Sequence, residues 1–347
     1  MTLAERFIAS FRLPYALGCI LIGFGLFGTI NTMLFTFAET SDLRQAILIA
    51  FSPSNLAQSV LVAYAFYAPR YMRTKLLAAG RSLPPIPTES ERGFRDIFGR
   101  VSSRRPQVLA WISFLAALLL AFNVSAFLGG QSTIVLNLDP GFSLLDLFAG
   151  IFDVVSLAVV TLALSSVVWT YWSISTGIRR FSSAPLALRP YYEDAFLGLK
   201  PVGALALSMA SVYFGFIALL VIAVLASPST PTTGDILGVG GFLFGLILLG
   251  LLLFFVPLSA AHGRMVAERR AERLRLSPIL GTLFQDPTRT SSITDPGHVL
   301  RLDMMDRKVS SMATWPFDIG IVGRLSVIAI SVTAILISRI IALMLHI

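Results

Sequence analysis

GFSLLDLFAGIFDVVSLAVVTLALSSVVWTYWSISTGIRR, residues 141–180, is a long apolar run with Asp146 and Asp153 near its front and a basic pair at its end. At about 1.5 Å per residue, the helix from Phe142 to Ser173 would exceed the roughly 30 Å hydrocarbon core of a bilayer. The stretch therefore predicts a transmembrane helix, and the other long apolar runs of the chain are interpreted in the same way.

The composition agrees with a membrane protein. Of the 347 residues, 55% are hydrophobic and 13% are charged, and the mean hydropathy is +0.79. Such a chain contains too many long apolar runs for a water-soluble core. The net charge is +8, and most of the charged residues lie between the apolar runs. Basic residues there set topology and meet anionic head groups, so nucleic acid is not an expected partner.

Six further apolar runs accompany residues 141–180, so the sequence predicts an all-α polytopic bundle of about seven spans. They cover residues 13–37, 56–71, 107–129, 201–226, 238–263 and 315–347. With the N-terminus in the cytoplasm, 24 of the 27 basic residues fall on the cytoplasmic side, as the positive-inside rule requires. The predicted topology is N-in and C-out, with domains at 1–263 (six spans), 264–314 (a cytoplasmic helical hairpin) and 315–347 (the final span).

Glycines in the first span form Gly23-Phe-Gly25-Leu-Phe-Gly28, a formal match to a dinucleotide-binding fingerprint. No strand precedes this motif and no acidic residue follows at the required distance, so we attribute no nucleotide site to it. The spacing of an α-helix instead predicts a packing face at Gly18, Gly25 and Thr32. Small-residue faces of this kind also predict a homo-oligomer.

A break at Pro53 divides residues 42–71. One interpretation is an interfacial helix at the outer surface followed by the second span. The other is a discontinuous helix that lines a cavity, as in transporters. Asp42 and Arg44 favour the interfacial helix, because charged side chains are unfavourable in lipid.

Two connectors are predicted to contain cytoplasmic helices. Residues 89–100 follow a capping box at Thr88 and Glu91, and their apolar side chains share one face, which predicts a helix lying on the inner leaflet. These side chains are Phe94, Ile97, Phe98 and Val101. In the hairpin of 264–314, a first set of apolar residues is expected to face a second, namely Val266, Leu274 and Leu276 against Leu302, Met305 and Val309.

Charged residues within the predicted spans are candidates for function, because ionisable groups at membrane depth need partners or water. They are Asp146, Asp153, Arg324 and Arg339. Counting along the helices places Asp153 and Arg339 at similar depth near the outer edge of the hydrocarbon core. They are interpreted either as a buried pair that joins the fourth and seventh spans or as the charged outer vestibule of a solute path.

Catalytic patterns are missing from the sequence. It contains no HExxH, GxSxG or phosphate-binding loop, and its histidines, His262, His298 and His346, are scattered. Cys19 has no evident base beside it, and as the single cysteine it has no disulfide partner within the chain. We therefore expect no enzyme, and no catalytic, cofactor-binding or metal site.

The tetrapeptide Trp315-Pro316-Phe317-Asp318 precedes the last apolar run. Together with the basic helix and second cytoplasmic helix before it, this motif resembles an uncharacterised prokaryotic family of polytopic membrane proteins that have WPFD before the last span. The resemblance covers about the last 85 residues and implies the plasma membrane of a prokaryote, but no activity. Physically, Trp315 and Phe317 are expected at the interface, Pro316 at the helix start and Asp318 at its positive end.

Two functions fit these patterns. The first is an ion channel or small-solute transporter with a cytoplasmic regulatory or assembly hairpin. The alternative is a non-transporting scaffold that binds partner proteins or anionic lipids at the inner leaflet through its basic loops. A channel requires polar residues along a continuous path, whereas a scaffold requires an apolar bundle with a basic inner face.

Overall fold

The computed structural model describes residues 1–33, 36, 42–84, 90–128, 144–184, 186–225, 233–285 and 296–344. All regular structure in these ranges is helical, which confirms the predicted all-α class. Eleven α-helices are described, together with a π-helix over Leu21–Asn31 and a 3₁₀ turn over Gly99–Ser102. The α-helices are α1 (Leu3–Ser10), α2 (Tyr15–Ile20), α3 (Leu43–Ala50), α4 (Pro53–Gly80), α5 (Ser90–Phe98), α6 (Arg104–Leu128), α7 (Leu144–Ser183), α8 (Lys200–Leu225), α9 (Thr233–Gln285), α10 (Pro296–Ser310) and α11 (Ile319–Met344).

The number of membrane spans follows from helix length and composition. Four helices, α6, α7, α8 and α9, are long and apolar enough to cross a bilayer. Two bent pairs raise the number to six if each is one span: α1 with the helix of 15–30, at 96°, and α3 with α4, at 56°. The apolar stretch of α11, Ile319–Ala334, is too short to be counted with these candidate spans. The chain is thus an apolar helix bundle with four to six candidate spans, and the count of seven stays a prediction.

Helices α4 and α8 form the centre of the bundle. In the most apolar part of α8, 50% of the residues are buried, against 6% in α6, so α8 is central and α6 peripheral. The core around α8 is built from large apolar side chains, among them Phe181, Phe214 and Phe254. Hydroxyl groups join the helices: Tyr64 donates to the carbonyl of Val212 at 3.2 Å.

The break between α3 and α4 is stabilised by side chains. Ser52 caps α4 by accepting a hydrogen bond from the backbone N–H of Asn55. The Asn55 side chain donates to the carbonyl of Ala50 at 2.8 Å and also to that of Gly28, so groups freed by the break regain partners. This geometry is the same for an interfacial helix and for a broken span, so both interpretations of residues 42–71 agree with it. Helix α4 continues to Gly80, nine residues past the predicted end of the second span at Tyr71.

The predicted packing face of the first span is only partly right. Gly18 lies close to Ile8 of α1, and the Thr32 hydroxyl donates to the Asn55 side chain of α4 at 3.1 Å, but Gly25 contacts only Leu21 of its own segment. Within the π-helix the close contacts are made instead by Gly23 and Gly28, which both lie against Ser59 of α4. A π-helix bonds residue i to i+5, so glycines five apart share a face there. The sequence interpretation assumed the α-helical period and therefore selected residues seven apart.

Helix α5 forms where the sequence predicts it, but its apolar face does not lie on lipid. Phe98 is only 5% exposed and packs against Gly177 of α7 and the ring of Phe181. Val101 is buried in the same core, and Phe94 lies over Gly80 of α4. The protein itself covers this face. The predicted capping box falls on Thr88, which lies outside the described residues, and on the side chain of Glu91, which is not described either.

The two helices of the predicted hairpin are only partly paired as expected. Helices α9 and α10 contact each other, and Leu276 and Val309 are buried. However, Val266, Leu274 and Met305 are exposed, Leu274 by 66%, and the side chain of Leu302 is outside the described set. Helix α9 has 53 residues and extends about 80 Å, and several side chains of its basic end, including Arg270 and Arg273, are exposed.

The N-terminal helix is fixed to two other helices. Glu5, 1% exposed, pairs with Arg73 of α4 at 2.9 Å and also closes the α1 capping box with Thr2. The backbone N–H of Leu3 donates to Gln107 of α6 at 2.7 Å, and Gln107 in turn donates to the carbonyl of Val101. This N-terminal clamp (Thr2, Leu3, Glu5, Arg73 and Gln107) joins the basic ends of α4 and α6.

Candidate anion-binding cleft

A tight loop between α7 and α8 is organised by one carboxylate. Asp194 accepts hydrogen bonds from the backbone N–H groups of Phe196 and Gly198, each at 2.9 Å. Leu197 and Gly198 have φ angles of 56° and 84°, and a left-handed conformation is costly at a leucine. The bonds to Asp194 and the burial of the Leu197 side chain hold this strained turn in place.

Further contacts attach the loop to α10. The N–H of Ala313 donates to the carbonyl of Ala195 at 3.0 Å, and Lys308 donates to the carbonyl of Tyr192 at 3.1 Å. The loop therefore has a fixed position between α8 and the segment that leads into α11. It presents Arg189 and Gly198 on its outer side.

A cavity of about 600 Å³ lies where this loop meets the end of α4 and the first turns of α8 and α11. We call it the basic cleft, because four cationic side chains line it. They are Lys75 of α4, Arg189 of the loop, Lys200 of α8 and Arg324 of α11. All four side chains are exposed, so they face a volume open to solvent.

The carboxylates near the cleft are already engaged. Both oxygens of Asp194 accept backbone N–H groups, as described above. Asp318 pairs with Lys200 at 2.7 Å, and that hydrogen bond holds the pKa of the Asp318 carboxyl below its ordinary value. Among the described residues, Lys75, Arg189 and Arg324 have no carboxylate partner; Lys75 lies 5.4 Å from the ring centre of Tyr71. The cleft is therefore electropositive.

The WPFD motif forms an aromatic junction beside the cleft. Trp315 stacks on His262 of α9 with ring centres 4.1 Å apart, and Nδ1 of His262 is 2.7 Å from the carbonyl oxygen of Thr314. Phe317 packs on Phe254 at 5.7 Å. Both motif rings are half-buried against protein rings, so they do more than anchor the chain at a lipid surface.

The helix after the motif begins later than predicted. Helix α11 starts at Ile319, and Pro316 is buried before it with its carbonyl against Gly203 of α8. Asp318 accepts the N–H of Ile321 at 2.9 Å and so caps the helix. The predicted position of Asp318 at the positive helix end is confirmed, whereas Pro316 ends the preceding segment instead of opening the helix.

The other charged residues singled out in the sequence are separated. Arg324 lies in the basic cleft and is exposed. Asp146 and Asp153 fall on α7 and Arg339 on α11, but their side chains lie outside what the structure describes. Within the described residues, α11 has its main contacts with α8 and α9. The pairing of Asp153 with Arg339 stays a prediction.

Sequence reasoning missed Lys75, Arg189 and Asp194 as site residues. Lys75 and Arg189 are separated by 114 positions, and nothing in their local sequence indicates that they share a cavity. The Asp194…Gly198 spacing was a usable signal, since a short acid followed by glycine is typical of a turn held by its own side chain. In the described part of the chain, no three metal-binding side chains come together.

Comparison of the chain with models of protein families, with curated proteins and with solved structures found no match. The resemblance of the last 85 residues to a prokaryotic family stays a prediction on that account. The function is therefore argued from the geometry of the cleft and the bundle.

Proposed function

We propose that this chain is a non-transporting integral membrane scaffold that binds anionic lipid head groups at its basic end. The observation that carries the proposal is the basic cleft, in which Lys75, Arg189 and Arg324 line one cavity without carboxylate partners among the described residues. Basic pockets between membrane helices are suited to anionic head groups, because the phosphate gains charge-assisted hydrogen bonds while its acyl chains stay in lipid.

The interior of the bundle supports a scaffold. A large apolar cluster joins α4, α7, α8 and α9 and includes Met72, Ile174 and Met209, each at most 1% exposed. A hydrated path needs polar groups where these side chains lie. Close-packed apolar residues at the centre favour a protein that holds its shape in the membrane.

The placement of charge supports a cytoplasmic cleft. All four cleft cations lie at the end of the bundle that also has the two basic connectors, and the positive-inside rule assigns that end to the cytoplasm. Anionic lipids give the cytoplasmic leaflet its negative surface potential, worth about 1 kcal/mol per nearby basic residue. The proposed ligand and the proposed topology therefore agree.

Reconstitution tests this function directly. The full chain is placed in phosphatidylcholine vesicles with and without phosphatidylglycerol, re-extracted, and analysed for retained lipid by native mass spectrometry. We expect phosphatidylglycerol to be enriched over its bulk fraction, and the same vesicles to show no ion current above protein-free ones. Retained lipid that matches the bulk composition would contradict the scaffold proposal.

A second candidate function, transport, is favoured by one polar seam. Ser156 and Ser166 of α7 are buried, and their hydroxyls have no hydrogen-bond partner among the residues that the structure describes. Helix α7 contacts the π-helix and α4, where Asn55 and Ser59 are also buried. Orphan hydroxyls next to a broken helix are typical of a solute path.

The seam is tested by current measurements on the same reconstituted vesicles. If it conducts, the chain gives an ion current that Ser166→Val reduces, while Ser183→Val, at an exposed hydroxyl at the far end of α7, leaves it unchanged. No current from the wild-type chain excludes an ion path and leaves the scaffold as the function.

A further inference from the structure

We infer that the basic cleft selects a phosphate ligand that carries two negative charges over one that carries a single charge. The inference rests on the proposed function and names the ligand class of that same site. Four cations line the cleft, and two carboxylates, Asp194 in its lining and Asp318 on Lys200, oppose them, so the local charge is 4 − 2 = +2. A dianion neutralises this charge, whereas a monoanion leaves half of it.

The free donors of the cleft are cations. The hydroxyls of Ser82 and Ser208 already donate to the carbonyls of Ala79 and Ala204. Three cations without a carboxylate partner among the described residues remain to donate, the Lys75 ammonium and the guanidinium groups of Arg189 and Arg324, and the Lys200 ammonium keeps donors beyond the one on Asp318. A donor set with only cations recognises an acceptor-only group such as an ionised phosphate, and each guanidinium can bind two of its oxygens.

The engaged carboxylates add to this selectivity. Asp194 has both oxygens on backbone N–H groups, and Asp318 has one on Ile321 and the other on Lys200. Every oxygen of the two carboxylates therefore already accepts one hydrogen bond, which weakens their attraction for the ammonium of a zwitterionic head group. The cavity of about 600 Å³ is large enough for a head group with one or two phosphates.

The surroundings of the cleft favour a lipid as the source of that phosphate. Val327 lies one turn beyond Arg324 on the same face of α11 and is 64% exposed, and Ile330 follows at 66%. An acyl chain attached to a phosphate at Arg324 would lie along these apolar side chains. A soluble phosphate compound would make no use of them.

Binding is tested on the full chain in nanodiscs, with Arg189→Gln/Arg324→Gln against the matched control Arg270→Gln/Arg273→Gln. Both double variants lose two positive charges from exposed arginines, but the control pair lies on α9 away from the cleft. Three lipids are the probes, compared at equal total charge. Phosphatidic acid is a phosphomonoester, cardiolipin has two phosphodiesters, and phosphatidylglycerol has one. Inorganic pyrophosphate is the soluble competitor, and thermal unfolding checks that each variant folds.

We expect phosphatidic acid and cardiolipin to bind more tightly than phosphatidylglycerol. The cleft variant should lose about 30-fold in affinity for them, from two basic groups at roughly 1 kcal/mol each, and the control variant should keep its affinity. Tighter binding of pyrophosphate than of phosphatidic acid, with both affinities lost in the cleft variant, supports the preference for more than one negative charge and assigns its source to soluble phosphate. Equal binding of all three lipids, or equal losses in both variants, overturns the inference but leaves the scaffold standing. Absence of any anionic-lipid enrichment overturns both.

Discussion

Asp194 is the residue on which the geometry of the cleft depends. Its carboxylate is the acceptor for two backbone N–H groups in a turn with two consecutive positive φ angles. Asp194→Ala should therefore lower the free energy of unfolding by about 2–4 kcal/mol, since two partly buried donors lose their acceptor. Denaturant unfolding in detergent measures this. Glu193→Ala, at an exposed acid next to it, is the control and should change stability by less than about 0.5 kcal/mol.

Asp318 gives the chain an acid-sensitive contact. Hydrogen bonding from Lys200 lowers the pKa of this carboxyl from its ordinary 3.8. A lowered folded-state pKa stabilises the fold above the ordinary value, and the contribution is lost as the pH falls through the folded-state pKa. Wild type should therefore exceed Asp318→Asn in thermal stability near neutral pH, and the difference should shrink below pH 3.8. A difference that stays constant down to strong acid would contradict this assignment.

At the scale of single residues, the sequence predicts local roles better than partners. The position of Asp318 at the positive helix end needs only its neighbours in the chain, and it is confirmed, although Asp318 lies one residue before the helix and caps it. The stacking of Trp315 on His262 needs two elements 53 residues apart to meet, and no periodic pattern reports that. Arg324 was singled out because it interrupts an apolar run, but its cavity depends on three other elements.

Among the helices, the docking of α5 on α7 depends on Gly177. A Cβ at this position would collide with the ring of Phe98. Gly177→Ala should destabilise the protein and expose α5 to protease, although the same change usually stabilises a helix by up to about 1 kcal/mol. Limited proteolysis and thermal unfolding measure the two effects. Gly263→Ala in α9 is the matched control, because its Cβ would meet no atom within 4 Å, and it should stabilise.

Helix positions were predictable from the sequence, but the surfaces that cover them were not. An amphipathic pattern predicts an apolar face, and α5 has one at Phe94 and Phe98. The pattern does not tell lipid from protein as the cover, because both are apolar. The π-helix was missed for a similar reason: apolar residues and glycines occur in α- and π-helices alike, so only the contacts of Gly23 and Gly28 reveal the period.

For the whole molecule, the distribution of charge predicts that the basic cleft and both long connectors face the cytoplasm. Cysteine labelling in a Cys19→Ser background tests this, because Cys19 is the single cysteine of the chain and is buried. A cysteine at Ser102, which is exposed at the basic end, should react only after the cells are permeabilised. A cysteine at Ser229, in a connector without basic residues, should react in intact cells. Labelling of the Ser102 site from outside would reverse the topology and remove the cleft from the cytoplasm.

The N-terminal clamp has a consequence for how the chain is made. Leu3 bonds to Gln107, a residue translated roughly a hundred codons later, and Glu5 pairs with Arg73. A chain emerging from the ribosome therefore carries an α1 that lacks first its Arg73 partner and then, until the third apolar run begins, its Gln107 partner. Until Arg73 has been synthesised, the Glu5 carboxylate, which is buried in the finished protein, must stay hydrated at the membrane surface. Closure of the clamp thus marks the moment in biosynthesis when the first three apolar segments have come together.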